Sequence, residues 1–146
     1  MTKKLIAKPL IKQIYADLKT EIIDNGFAPK LVIILIGEDP AAEYYVQNLV
    51  KKGKKVGIEV TTKLFNVDIT QTQLLTEIEK LNSDANVHGV MLQKPLPKHL
   101  DESEIVMKIN PQKDVDGFHP LNVGNLVLDR EGFIPSTPNA VLEILK

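Results

Sequence analysis

The sequence predicts an α/β fold of three layers, with a mainly parallel sheet flanked by helices. Three observations lead there. The segment "KLVIILIG" is a continuous apolar run, as expected of a parallel strand buried on both faces by helices. On either side of it, apolar residues recur at helical spacing with polar residues between them. Strand-like and helix-like segments then alternate along the chain, the order that right-handed crossover connections produce.

Taken in order, residues 8–24 carry Leu10, Ile11, Ile14, Tyr15, Leu18 and Ile22 as a helical stripe, and Asn25-Gly26 stops it. The apolar strand follows and is closed by Gly37. "EDPAA" then turns into a helix over 41–56, with Pro40 near its first turn. Its stripe is Tyr45, Val46, Leu49, Val50 and Val56, so periodicity alone makes Leu49 a core residue. Lys51, Lys52, Lys54 and Lys55 fall mostly off that stripe and read as a solvated face.

"IEVTTKLFNV" is rich in β-branched residues and reads as a second strand. "DITQTQLLTEIEKLNSD" reads as a third helix, capped by Asp68 or Thr70. "VHGVMLQ" is a third strand, broken off by "KPLP". A short helix over 102–109 precedes "NPQKDVDGFHPLN", which reads as loop. "TPNAVLEILK" opens a last helix, with Thr137 as cap and Pro138 at its first position.

With 146 residues, 43% of them apolar, the chain can bury one core and forms one domain. Its 18 basic and 19 acidic residues leave no global field that would favour nucleic acid or an anionic membrane. The absence of cysteine excludes disulfides, thiolate nucleophiles and zinc–thiolate sites, and fits a reducing compartment. The first residues form neither a signal-peptide core nor a membrane span, so a soluble, cytoplasmic protein is expected.

Ligands of open parallel sheets bind beyond the carboxyl ends of the strands. Here those ends carry "GEDPAAEYY", "FNVDIT" and "LQKPLPKHL", joined by "KDVDGFHPLN". Gln93 can offer a donor and an acceptor to a ligand, or can satisfy the backbone of its own loop. Asp114, Asp116 and His119 can be read as metal ligands, but no second histidine or carboxylate cluster completes a set, so no metal is expected. The plainer reading is a turn in which Asp114 bonds backbone amides and Gly117 takes positive φ. His88 and His99 read as structural. "GEDPAA" is neither a P-loop nor a G-x-G-x-x-G turn, and there is no nucleophile elbow.

In this order, "LIGEDPAAEYYV", "VGI", "VHGVMLQKPLP", "NPQKDVDGFHPLNVGNL" and "FIPSTPNAVLEIL" resemble the bifunctional methylenetetrahydrofolate dehydrogenase/methenyltetrahydrofolate cyclohydrolase family. The resemblance spans nearly the whole chain. It implies an N-terminal folate-binding catalytic domain over residues 1–146, with NADP or NAD bound by a dinucleotide-binding domain absent from this chain. It also implies a folate substrate and a full-length homodimer.

Position by position, the resemblance makes Tyr45 the ring that packs on the aminobenzoyl part of folate. Gln93 becomes the glutamine beside the catalytic lysine, and Asp116 the pterin anchor. The lysine itself should stand two variable residues after Tyr-Val. Leu49 stands there instead, and leucine can neither transfer a proton nor activate water. Ala42, Lys94 and Ala140 also depart from the family's usual serine, leucine and glycine. Dehydrogenase and cyclohydrolase chemistry is therefore expected of the family, with cyclohydrolase activity questioned by Leu49. The alternative is a folate-binding or regulatory module without turnover.

Overall fold

Five of the seven residues of strand β1 (Lys30–Ile36) are buried, as a central strand covered on both faces requires. The structure, a computed structural model, describes residues 5–146. β1 pairs in parallel with β2 (Glu59–Phe65) on one side and β3 (Gly89–Leu92) on the other, in the order β2-β1-β3. The register sets Ile36 opposite Phe65 and Ile34 opposite Leu92, so the carboxyl ends of the strands share one edge. Beyond β3, Val90 bridges to Asp114 in parallel, with the Val90 amide donating to the Lys113 carbonyl at 2.6 Å.

Alternation along β1 divides its side chains between two faces. Val32, Ile34 and Ile36 join Leu74, Ile78 and Leu81 of α3 (Gln71–Ser83) and Ile105 of α4 (Glu102–Lys108) in one buried cluster. Ile33 and Leu35, also buried, take the opposite face, where α2 (Pro40–Val56) lies against β1 and β2. The expected three-layer α/β arrangement is what the chain adopts. Among the described residues no helix is long and apolar enough to cross a membrane.

α2 starts where Asp39 accepts the Ala41 amide at 3.0 Å and Pro40 fills the first helical position. Its buried line is Ala42, Val46, Gly53 and Val56, while Lys51, Lys52, Lys54 and Lys55 are exposed. Leu49 sits beside this line and is half-buried rather than central. Gly53 is what lets the helix approach β2: a Cβ there would stand 2.3 Å from Val60 Cγ2. α3 is capped by Thr70, whose side chain and that of Gln73 form a reciprocal capping box.

Three elements differ from the sequence reading. α1 (Ala7–Asn25) has its helical stripe and its stop at Gly26, yet none of its residues is buried. It packs on α2 rather than on the sheet, one layer too far out for its stripe to reach the core. A further helix, α5 (Pro120–Val127), begins inside the expected loop, because His119 Nδ1 accepts the Leu121 amide and Pro120 sets the first turn. The last helix, α6 (Ser136–Leu145), starts earlier than "TP" suggests, with Pro135 as N-cap and no side-chain cap from Thr137. The Pro135 carbonyl accepts the Asn139 amide at 3.1 Å, and Pro138 is tolerated because first-turn amides have no intrahelical partner.

Candidate active site

β3 ends at Leu92, and Gln93 continues its course by donating its amide to the Ile34 carbonyl at 2.9 Å. The side chain of Gln93 does two things. Its Nε2 donates to the Lys94 carbonyl at 2.9 Å, the loop-satisfying role open to it from sequence. Its Oε1 is buried and has no hydrogen-bond partner. Among the described residues it is the one buried side-chain polar atom left so, and such atoms are costly unless a ligand or water completes them.

Asp116 lies in a turn built by its neighbours. The Asp114 carboxylate is buried and accepts the His119 amide at 2.8 Å and Asn122 Nδ2 at 2.9 Å. The Gly117 amide donates to the Asp114 carbonyl at 3.1 Å, which makes Asp116 the third residue of a four-residue turn. Gly117 takes φ of 68°, and a Cβ there would meet the Phe133 carbonyl oxygen at 2.7 Å. This is the turn expected from the spacing. It commits Asp114 and His119 to structure, and among the described residues no group of three His, Cys, Asp or Glu gathers as a metal site.

Asp116 itself is half-buried and receives no hydrogen bond from the described residues. Burial pushes its carboxyl above the usual range, the nearby Asp114 charge adds to that, and Lys94 opposes both. The Lys94 ammonium pairs with Glu102 at 2.8 Å and lies 4.2 Å from the centre of the Phe118 ring. With Val106, Met107 and Pro120, these residues line a cavity of about 370 Å³ beside the Asp116 turn. The Lys94 amine is thus engaged by Glu102 and Phe118.

Lys94 follows Gln93 in the chain, and its ammonium lowers the Asp116 carboxyl against the effect of burial. Tyr45 and Leu49 lie one helical turn apart on α2. Tyr45 is 50% exposed, a large aromatic surface open to a ligand. Among the described residues no hydrogen bond joins these two to Gln93 or Asp116. The two remaining histidines are structural. His88 Nδ1 accepts the Lys30 amide at 3.0 Å with Phe27 edge-on to its ring, and His99 Nε2 donates to the Ile69 carbonyl at 2.9 Å.

Sequence reasoning missed Asn122 and Lys113. Asn122 is buried, and its Nδ2 reaches both Pro111 and Asp114. Lys113 spends its ammonium on the carbonyls of Leu81, Asn82 and Asp84 at 2.8–2.9 Å, capping the end of α3. The available signal for Asn122 was a polar residue inside the apolar run "PLNVGNL", which once buried must find partners.

These features make a parallel α/β domain whose candidate ligand site holds a half-buried carboxylate and an unpaired amide oxygen. The chain belongs to the family described as tetrahydrofolate dehydrogenase/cyclohydrolase, whose catalytic domain matches residues 4–116. It is 44% identical to the bifunctional protein FolD of Exiguobacterium sibiricum over 136 residues, which is 93% of this chain and 48% of that protein. Among solved structures it resembles the bifunctional FolD methylenetetrahydrofolate dehydrogenase/cyclohydrolase of Campylobacter jejuni, with TM-score 0.91, 41% identity, and coverage of 97% of this chain and 51% of the other. The 5,10-methylenetetrahydrofolate dehydrogenase of the silkworm Bombyx mori superposes with TM-score 0.95 at 40% identity, over 99% of this chain and 51% of its own. The Trypanosoma brucei FolD, solved with NADP cofactor and inhibitor, has TM-score 0.90 and 30% identity, over 99% of this chain and 52% of its own. The chain thus spans about half the length of the relatives it matches.

Proposed function

We propose that this chain is the folate-binding catalytic domain of an enzyme of one-carbon metabolism. That enzyme would oxidise 5,10-methylenetetrahydrofolate and, where the catalytic amine is present, hydrolyse 5,10-methenyltetrahydrofolate. The observation that carries this reading is the Asp116 turn, which lies at the end of the matched family segment and presents a half-buried carboxylate that no protein donor uses. An ionised carboxylate there can accept two hydrogen bonds from adjacent N–H groups of a pterin, and charge makes both strong. Tyr45 supplies a ring for the flat aminobenzoyl part, and Gln93 Oε1 an acceptor still to be filled.

Oxidation needs NADP or NAD as hydride acceptor, and among the described residues the turn after β1 does not fit the pyrophosphate of either. The turn after β1 has no glycine pair, and Asp39 and Pro40 occupy the α2 N-terminus where a pyrophosphate would sit. The cofactor would be held by residues outside this chain, and a homodimer of the full-length enzyme belongs to the same reading.

Leu49 favours a second reading, a folate-holding domain without cyclohydrolase turnover. It stands one turn after Tyr45, where the family lysine would serve as general acid/base, and its side chain carries no proton. The unpaired Gln93 Oε1 is what the loss of a neighbouring ammonium would leave. Calorimetry with a stable reduced folate tests the shared part of both readings. Asp116→Ala should cost on the order of 2 kcal/mol or more of binding, because it strands the pterin donors. Equal binding by the two proteins would overturn the site assignment. Hydrolysis of methenyltetrahydrofolate at rates above buffer would remove the second reading.

A further inference from the structure

We propose that Asn122 is a positioning residue for the substrate site, acting through Asp114 to fix the turn that presents Asp116. This rests on the folate reading only for the ligand; the geometry stands without it. Both amide hydrogens of Asn122 are committed, one to the Pro111 carbonyl at 2.9 Å and one to Asp114 Oδ2 at 2.9 Å. Those two acceptors lie on either side of Lys113, whose own carbonyl is held by Val90 of β3. Asn122 therefore ties the start of the turn to the first turn of α5, while the Val90 bridge ties it to the sheet.

The other end of the turn is fixed by the same carboxylate. Asp114 Oδ2 accepts the His119 amide as well as Asn122, and the Asp114 carbonyl accepts the Gly117 amide. Asp114 and Asn122 are both buried, so neither has water to replace a lost partner. Asp114 Oδ2 and Asn122 Nδ2 spend their bonds inside the protein, and Asp116, at the apex of the turn, is the member left for a ligand. A carboxylate held this way does not have to be ordered when the ligand arrives, which is how preorganisation raises affinity.

The test compares the wild-type chain, Asn122→Ala and Asn122→Ser, each also in an Asp116→Asn background. Binding of 5-formyltetrahydrofolate is followed by calorimetry, and exchange of the Gly117 and His119 amides by NMR without ligand. Asn122→Ala should bind about tenfold more weakly. It should also exchange both amides faster while amides of β1 are unchanged. Asn122→Ser, which keeps one donor, should fall between, and it carries the test if the alanine variant does not fold. In the Asp116→Asn background the Asn122 change should weaken binding no further, since there is no carboxylate left to position.

A purely structural role would give the same loss in both backgrounds, and that result would overturn the proposal. Unaltered binding together with unaltered amide exchange would do so as well. If the wild-type chain binds no folate, the functional reading fails on its own. The exchange arm then decides: faster Gly117 and His119 exchange sustains the positioning role, and unchanged exchange ends it.

Discussion

Gln93 Nε2 donates to the Lys94 carbonyl, and that bond decides which end of the amide is left over. Turning the amide around would bring Oε1 against a carbonyl oxygen, two acceptors facing each other. The unpaired atom is therefore the acceptor, and what it lacks is a donor. Asp116, in the turn that follows the Val90–Asp114 bridge, is an acceptor without a donor too. Each is an acceptor without a protein donor, as the proposed pterin-bearing ligand would require.

The donor that Gln93 lacks suggests an engineered restoration. Leu49→Lys would return an amine to α2 one turn after Tyr45, and hydrolysis of methenyltetrahydrofolate should rise above the wild-type chain, which is expected to match buffer. General acid/base catalysis is worth roughly 10²–10⁴-fold, so even partial recovery is measurable by absorbance. The gain should disappear in Leu49→Lys, Gln93→Ala if the two groups act together. Hydrolysis that survives the double change would assign the proton to another residue.

Glu77 tests the electrostatics away from the site. Hydrogen bonds from Lys80 and then Lys63 hold its carboxyl down at about 2, against an ordinary 4.5. A depressed value means that the stabilisation is present above pH 4.5 and is lost as pH falls toward about 2. Glu77→Gln should lower stability at neutral pH by no more than about 1 kcal/mol, because these are surface pairs. Urea melts at neutral pH and in acid should show the difference shrinking across that window, and a difference constant with pH would contradict the pairing.

Much of this architecture was legible in the sequence because it rests on local rules. "KLVIILIG" suited a strand covered on both sides, and of the two caps open for α3, Asp68 and Thr70, the structure uses Thr70. The Asp114 turn and the positive φ of Gly117 followed from residue types at fixed spacing. What was not legible depends on distant partners. The α1 stripe says that the helix has an apolar side, but not that it stacks on α2 outside the reach of the core. Leu49 shares a period with Val46, yet only the packing of α2 shows it beside the buried line. Asn122 looked like loop because its partners, Pro111 and Asp114, come from another segment.

Gly53 tests the packing of α2 on the sheet. In an exposed helix, Gly→Ala stabilises by about 1 kcal/mol. Here the added methyl would sit 2.3 Å from Val60 Cγ2 and 3.2 Å from the Ile58 carbonyl oxygen. Val60 is stiff and belongs to β2, so the helix or strand must shift, and overpacking of this kind costs typically 1–3 kcal/mol. Gly53→Ala should therefore lower the urea midpoint, and Gly53→Ala with Val60→Ala should recover part of it relative to Val60→Ala alone. An increase in stability for Gly53→Ala would mean that α2 does not lie this close to β2.

Asp116 should set binding against stability, and the sign follows from its surroundings. Burial and the Asp114 charge raise its folded value above the ordinary 3.8, so the fold prefers the protonated acid. Below pH 3.8 both folded and unfolded chains carry that acid, and its contribution is fully present. As pH rises through the folded value, the fold must hold a charge it disfavours, and stability is lost. Asp116→Asn, which never ionises, should consequently melt above the wild-type chain at neutral pH and converge with it in acid. Folate affinity should move the other way. The ionised carboxylate is the acceptor, so wild-type binding should weaken on the acid side at a pH above the ordinary carboxylate range. Asp116→Asn should bind weakly at every pH, because its amide sets a donor against the donors of the pterin. Melting temperatures and calorimetric affinities measured over one pH series check both halves. A wild-type protein that gained stability relative to Asp116→Asn as pH rose would show that the carboxylate is paired inside the fold and is not held ready for a ligand.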